Sequence, residues 1–354
     1  MLNGAREHRG RSNFLIKLRS WEYWPFGIVQ FPVMVYFAWL SLRARSILFF
    51  TASNPGITMG GMFGESKFDV IRKIPSKYVP PTFLVRLPST AGQVVQQMAL
   101  AGMQFPVILK PDMGERGLRV KRIDDEQGLA EYLKAQRFDF LVQAYLDLPL
   151  EFGIFYTRFP NQKKGRVTSV VMKEMLGVTG DGISTLEQLI LGLDRVKLQW
   201  NSLKKKYRDT LHEVVPSGKR IELVSIGNHC LGTKFLDGSH LITTDLDSTF
   251  DAISQQIPGF YFGRFDLRCQ DINALYAGQV KIMELNGCGA EPAHIYQPGY
   301  SLRKAMGVLF RHWRNIFIIA QQNVHRGVPY TPLKDAYVHY RKFKEATTPV
   351  YEES

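Results

Sequence analysis

The sequence predicts an α/β (α+β) protein of two lobes behind a short aromatic N-terminal segment. Three observations predict it. The chain has 354 residues, 45% hydrophobic and 22% charged, a globular composition with length for two or three lobes. Residues 65–145 read as strands and helices that complete a first lobe in the order β-β-α-β. Residues 263–286 hold two short runs in which polar and apolar residues alternate, the period of a strand. The expected organisation is an aromatic and basic segment with a short substrate-side strand and loop (1–64), a first lobe (65–145), a second lobe with the acidic strands (146–320) and a C-terminal tail (321–354).

The first twenty residues are basic and polar, with Arg6, Arg9, Arg11, Lys17 and Arg19. Residues 23–42 then carry no charge and hold Trp24, Phe26, Phe31, Tyr36, Phe37 and Trp39, closed by Arg43 and Arg45. Bulky aromatics without a small-residue cleavage site argue against a signal peptide. Length alone permits a membrane span, but Pro25, Pro32 and Gln30 interrupt it and basic residues flank both ends. Trp and Tyr beside Arg fit the headgroup level, as an interfacial or hairpin-like segment. A buried helix of the soluble fold and a true span are the other two readings. Residues 46–51 read as a buried strand that runs into Asn54-Pro55-Gly56 and Gly60-Gly61, a glycine-rich turn of the kind that holds ligands at strand ends.

In the first lobe, residues 67–74 form an expected short helix ended by Pro75, residues 80–82 an extended linker, and residues 90–102 a helix with Thr90 as N-cap. The hydrophobic strand 105–111 ends in Lys110, and a loop with Gly114, Arg116 and Gly117 leads into a second strand, 118–123. A lysine at the end of a buried strand is costly without a partner, and a phosphate is the natural one. The loop after it can fold backbone N–H groups over a polyphosphate. The spacing is not that of a Walker A motif, so a P-loop NTPase is not indicated. Helix 127–136 and strand 140–145 close the lobe.

The second lobe opens with Glu151 and the strands 152–159 and 167–172, followed by Gly180-Asp181-Gly182 and a helix capped by Ser184 or Thr185. Residues 197–209 are lysine-rich, and Trp200 and Tyr207 among them do not make the repeated aromatic interleaving that stacks successive bases, so they read as a solvated face and imply no nucleic-acid partner. The strand 221–226 runs into a polar loop with Asn228 and His229, the latter read as structural, and a helix covers 246–256. Arg264 and Asp266, and Glu284 and Asn286, stand two apart in strand-like runs. Paired antiparallel, these runs would put all four on one surface, where three oxygen ligands suit a hard cation such as Mg²⁺. The net charge of +13 suits a polyanionic partner. Cys230, Cys269 and Cys288 are scattered, without metal spacing, and fit reduced cytosolic thiols. The tail reads as a short helix and a frayed end.

In their order, these pieces resemble the ATP-grasp superfamily, and within it the carboxylate–amine ligases such as D-alanine–D-alanine ligase and cyanophycin synthetase. The resemblance covers roughly residues 65–320 and implies an ATP-grasp fold of two lobes with nucleotide bound between them. Residues 105–111 look like the phosphate-binding lysine strand, Gln143-Ala144-Tyr145-Leu146 with Glu151 like the adenine hinge and ribose-binding acid, and Arg264-Phe265-Asp266 with Glu284-Leu285-Asn286 like the catalytic arginine and two-metal triad. Gln143 stands where many members have Glu, and Gly287-Cys288-Gly289 replaces the Ser/Thr-x-Pro-Gly pattern of the D-alanine ligases.

The resemblance implies an ATP- and Mg²⁺- or Mn²⁺-dependent ligase acting on small-molecule carboxylate and amine substrates through an acyl phosphate. Arg264 and Lys110 would be catalytic. Lys110, a second lysine (Lys67 or Lys73), Gly114, Gly117, Gln143, Ala144, Tyr145, Leu146 and Glu151 would bind ATP. Asp266, Glu284 and Asn286 would hold metal, while Asn54, Glu65, Arg116, Asn228, Gly287 and Glu291 would face the other substrates. The rival expectations are a phosphotransferase on the same site and a nucleotide-binding membrane scaffold without turnover, against which the intact arginine and triad stand. A cytoplasmic enzyme at the membrane surface, with a lipid-linked substrate, follows if residues 21–45 meet lipid.

Overall fold

The computed structural model describes residues 13, 18, 20–114, 119–223 and 232–347. Behind a 3-10 turn at Trp21–Tyr23, helix α1 spans Phe26–Ala44 without a break. Of the interfacial or hairpin-like segment, buried helix and span weighed for this stretch, the hairpin form is absent: it is one helix with Pro32 inside it, ended by Arg45 in the left-handed region, whose N–H donates to the Leu42 and Ser41 carbonyls. Tertiary packing overrides the proline: Val33, Phe37 and Leu40 seat the helix on apolar clusters of the fold. Residues 46–51, expected as a strand, fold instead toward the 3-10 segment Phe49–Ser53. All five of its residues are buried, with Phe49 against Phe37, Trp313 and Phe317, and the Thr51 and Ser53 hydroxyls bond locally to the Leu48 and Phe50 carbonyls. With no strand beside it, the segment bonds partly within its own turn, Thr51 N–H to the Leu48 carbonyl, and partly to distant side chains, the Ala52 carbonyl accepting from Asn323 Nδ2.

The first lobe holds α2 (Lys67–Ile71), β1 (Thr82–Val85), α3 (Ala91–Leu100), β2 (Val107–Pro111), β3 (Lys121–Ile123), α4 (Glu126–Ala135) and β4 (Phe140–Ala144). Its sheet runs in the order β1-β4-β2-β3, antiparallel throughout. The supposed linker after Pro81 is thus an edge strand. Thr90 caps α3, as the sequence predicts, and Gln93 answers it in a reciprocal box. Val94, Met98, Leu129 and Tyr132 from the helices meet Val85, Val107, Leu109, Phe140 and Val142 from the sheet in one core.

The second lobe is a five-stranded antiparallel sheet, β11-β10-β5-β6-β9. Its strands are β5 (Leu150–Thr157), β6 (Arg166–Glu174), β9 (Lys234–Asp237), β10 (Phe262–Cys269) and β11 (Val280–Asn286). Between β6 and β9 the chain leaves to form the ribbon β7 (Gly177–Thr179) and β8 (Arg220–Glu222) with α5 (Leu186–Gly192), α6 (Asp194–Lys197) and α7 (Trp200–Lys206). That excursion buries a small core of its own, including Leu186, Ile190, Val196 and Leu203, and leaves Lys204 and Lys205 exposed, the solvated face expected. Helices α8 (Thr244–Gln255) and α9 (Ile272–Tyr276) cover one side of the main sheet through Leu246, Phe250, Ile253 and Leu275. Helix α10 (Leu302–His325) runs straight through residue 320, where the tail was expected to begin. The tail is itself a long helix, α11 (Leu333–Thr347), whose Tyr340 and Phe343 lie against Phe63.

Candidate functional site

Strands β10 and β11 pair with Arg264 opposite Asn286 and Asp266 opposite Glu284, so the alternation read from the sequence does gather the four on one face. On the other side of β10, Asp266 lies opposite Gly153 of β5. A Cβ at Gly153 would come within 3.0 Å of Arg264 Cδ and 3.3 Å of Asp266 Oδ1, so the glycine leaves room for both side chains. The ladder slips after Asp266, pairing Leu267 with Ile282, which makes Met283 the extra residue of a bulge. The Met283 carbonyl accepts instead from Lys110 Nζ at 2.9 Å, joining the end of the first lobe's β2 to the second lobe's acidic strands.

Around these residues the structure places a dense set of opposite charges. Lys67 Nζ lies 2.9 Å from Glu284 Oε1 and also donates to the Gly114 carbonyl. Lys173, on β6, bridges Asp266 Oδ1 at 3.1 Å and Glu151 Oε1 at 3.0 Å. Arg264 bonds both oxygens of Asp266, and Asn286 Nδ2 donates to Asp266 Oδ2 at 3.0 Å. Arg268 reaches Glu151 Oε2 at 2.9 Å and the Leu146 carbonyl at 3.0 Å. Five cations (Lys67, Lys110, Lys173, Arg264, Arg268) thus face three carboxylates (Glu151, Asp266, Glu284). Glu65 and Asp112 also act on Lys67 and Glu291 on Arg264, so the wider cluster carries no excess of positive charge.

Burial works against every charge here, and the partners decide the outcome. For Asp266 burial favours the neutral acid, but Arg264 and Lys173 outweigh it and hold the carboxyl low. Burial likewise opposes ionised Glu284, yet Lys67 and Lys110 bring it down to about 2. Burial pulls the Lys67 and Lys173 ammoniums down, and their carboxylates leave both raised. Lys110 is the exception: burial dominates and lowers it to about 8, with Glu284 opposing.

The two lysines named as candidates for a second phosphate contact lie apart. Lys67 shares the cluster, whereas Lys73 turns away to the Gly56 carbonyl. Gln143 is buried, accepting from Lys110 and donating to Thr82 Oγ1. Ala144 donates its N–H to the Pro81 carbonyl, and Tyr145 lies under Arg122, 4.5 Å from its ring centre. Glu65 lines a cavity of about 10 Å³ with Lys67, Lys110, Glu284 and Asn286. A space that size holds no more than a water. A wider groove of about 770 Å³ lies between β1 and α3, but Arg86 is its sole charged lining residue and no cluster residue reaches it.

Asn54, expected to face substrate, is a correction. It is fully buried, and its side chain donates to the Gly60 and Phe262 carbonyls and accepts from the Tyr261 and Phe262 N–H groups. Every hydrogen-bonding position on the amide is used, so it staples the turn to β10 and has none left for a ligand. The glycine turn itself does meet the residues after Asn286. Cys288 and Gly289 donate to the Gly60 and Gly61 carbonyls, and a Cβ on Gly287 would lie 2.3 Å from the Gly60 oxygen. Glu291 is half-buried, its carboxylate accepting from Gln30 Nε2 of α1 at 2.7 Å and from the Tyr296 hydroxyl, while its carbonyl accepts from Arg264. Arg116, Gly117, Asn228 and His229 lie outside the described residues.

Lys173, Arg268, Gly153 and Gln30 are the participants that sequence reasoning missed. Lys173 repeats the signal that marked Lys110, a lysine closing the apolar run Val170-Val171-Met172, and Arg268 continues the alternation of Arg264 and Asp266. Nothing in the sequence brings Gln30 to Glu291. Among the described residues no group of three or more His, Cys, Asp or Glu side chains gathers to hold a metal. The donor set at β10–β11 is two carboxylates and an amide, oxygen ligands of the kind a hard divalent cation takes.

No family profile matches the chain, and no curated protein does. Solved structures similar to it include the D-alanine–D-alanine ligase of Bacillus anthracis, at 12% identity over 77% of this chain and 72% of that one, with a TM-score of 0.44. The VanG D-Ala:D-Ser ligase of Enterococcus faecalis aligns at 11% identity over 75% of this chain and 64% of that one, TM-score 0.43. A bifunctional glutathione synthetase of Pasteurella multocida aligns at 14% identity, TM-score 0.36, over 69% of this chain and about a third (36%) of its own length. Similarity this distant leaves the chemistry to be read from the residues of this chain.

Proposed function

We propose that the chain is an ATP- and Mg²⁺-dependent ligase on an ATP-grasp fold, joining a small-molecule carboxylate to an amine. One observation carries the reading: lysines of both lobes converge on the Arg264, Asp266, Glu284 and Asn286 face of β10 and β11. In this reading the salt bridges exchange partners when ATP enters. Lys67, Lys110 and Lys173 turn to phosphate oxygens, and Asp266 and Glu284, which these lysines help hold low against burial, would keep their charge by taking the metal ion in exchange. Mg²⁺, or Mn²⁺ in its place, would be held by Asp266, Glu284 and Asn286 and would neutralise charge on the phosphates.

The substrate carboxylate oxygen attacks the γ-phosphorus, the bond to the β-phosphate oxygen breaks, and ADP leaves. The amine then attacks the acyl carbon, phosphate departs, and the amine's proton passes to solvent. Arg264 holds the oxygens that gain charge in these steps, and Lys110 stays on the phosphates. Glu151, between Lys173 and Arg268, accepts from the ribose hydroxyls in the same reading. Glu65, Gly287 and Glu291 lie toward the carboxylate and amine, Glu291 as an acceptor for the ammonium. The cytoplasm is the compartment we assign, where ATP coexists with free thiols such as the buried Cys269 and Cys288.

The products test it. Incubation with ATP, Mg²⁺ and panels of amino acids and acyl donors should release ADP and phosphate only when a carboxylate and an amine are both present. A stable phosphorylated product would make the protein a phosphotransferase, and tight ATP binding with no turnover on any pair would make it a scaffold.

A further inference from the structure

Helix α1 is apolar on all sides, but the fold covers only one of them. Val29, Gln30, Val33, Leu40 and Ser41 are buried. Ile28, Phe31, Val35, Trp39 and Leu42, at three- and four-residue spacing, form an outward stripe, with Phe31 66% and Leu42 79% exposed. The helix is 19 residues long and, by length and composition, apolar enough to cross a membrane. Exposed apolar surface on this scale marks an interaction site.

The charges beside the stripe say what covers it. Neither α1 nor the helix it packs on, α10, contains a single Asp or Glu. Alpha10 instead exposes Arg303, Lys304, Arg311 and Arg314, and Arg43 and Arg45 close the end of α1, with the Arg43 guanidinium 5.0 Å from the Trp39 ring centre. We infer that α1 and α10 seat the protein on an anionic lipid surface, with α1 lying in the plane of the interface. An apolar face flanked by Arg and Lys, with Trp at the boundary, is what the headgroup level favours. A second copy fits poorly: a two-fold contact would set this basic rim against itself. A spanning orientation fits no better. Gln30 is bonded to Glu291, and Phe37 lies against Trp313 at 4.9 Å between ring centres, so crossing the bilayer would tear α1 off the fold. The surface stands independently of the ligase chemistry.

Flotation of the full-length protein with vesicles on a density gradient tests the inference, since aggregates sink and bound protein rises. The protein should float with vesicles containing phosphatidylglycerol at low salt, float less at high salt, and largely stay behind with pure phosphatidylcholine. The double substitution F31E/V35E should cut partitioning at least tenfold, and R311E/R314E about tenfold, with thermal unfolding unchanged because these side chains are exposed. Failure of the wild type to float with anionic vesicles would overturn the inference. So would equal flotation of F31E/V35E, or a vesicle-free dimer that F31E/V35E converts to monomer, which would give the surface to a second copy.

Discussion

The two sides of the site are built by different means. The side on β10 and β11 takes Arg264, Asp266, Glu284 and Asn286 from one antiparallel pair, and the residues sit opposite one another in register. The side around Glu291 takes Gln30 from α1, Tyr296 from a 3-10 turn and Gly60–Gly61 from a loop, across sequence separations of up to 261 residues. The first is a consequence of local periodicity; the second depends on how distant elements dock. Function should therefore fail differently on the two sides, with chemistry lost on the strand side and only substrate affinity on the other.

The largest effect expected is on the strand side. Glu284→Gln keeps the shape of the side chain and should keep the fold, but turnover should drop about a hundredfold or more, as for other groups that act on charge in the transition state. Single-turnover assays with near-normal rates would remove Glu284 from the chemistry. Asn54→Ala sharpens the contrast from the other direction. It strips partners from two N–H groups and two carbonyls in a closed interior, and should cost about 3 kcal/mol in denaturant unfolding. A loss below about 1 kcal/mol would mean the turn does not depend on it.

Lys110 gives a pH signature. Because burial lowers its ammonium to about 8, the charged form that attracts phosphate prevails below that pH and is lost above it. Nucleotide affinity in the wild type should fall about tenfold for each pH unit above 8, while Lys110→Arg, charged throughout, should give a flat profile. The smallest effect belongs to the helix side. Gln30→Ala removes one bond to Glu291 and should raise the Michaelis constant for the amine a few-fold, leaving that for ATP unchanged. A change in the ATP constant instead would place Gln30's influence on the nucleotide.

The same contrast explains what was legible. The strand pair could be read because side chains two apart in a strand share a face whatever surrounds them. The N-cap at Thr90 was legible for the same local reason. Lys173 carried a local signal too, and the strand was ended one residue short of it. Asn54 was misread because a buried amide and a ligand-facing amide in a glycine-rich turn look alike until its four partners, two of them on β10, are in place. The run at 46–51 had the composition of a strand but no strand to pair with, a fact of topology. Pro32 argued against a continuous α1, and contacts with α10 outweighed it.

The most direct test of the central claim is calorimetric titration with a non-hydrolysable ATP analogue, with Mg²⁺ and with the metal chelated, on the wild type and on Asp266→Asn/Glu284→Gln. The wild type should bind tightly with Mg²⁺ and at least tenfold more weakly without it, and the double variant should bind weakly in both conditions. Wild-type binding that is absent, or equally tight with and without the metal, would contradict the assignment of this cluster as a metal–nucleotide site.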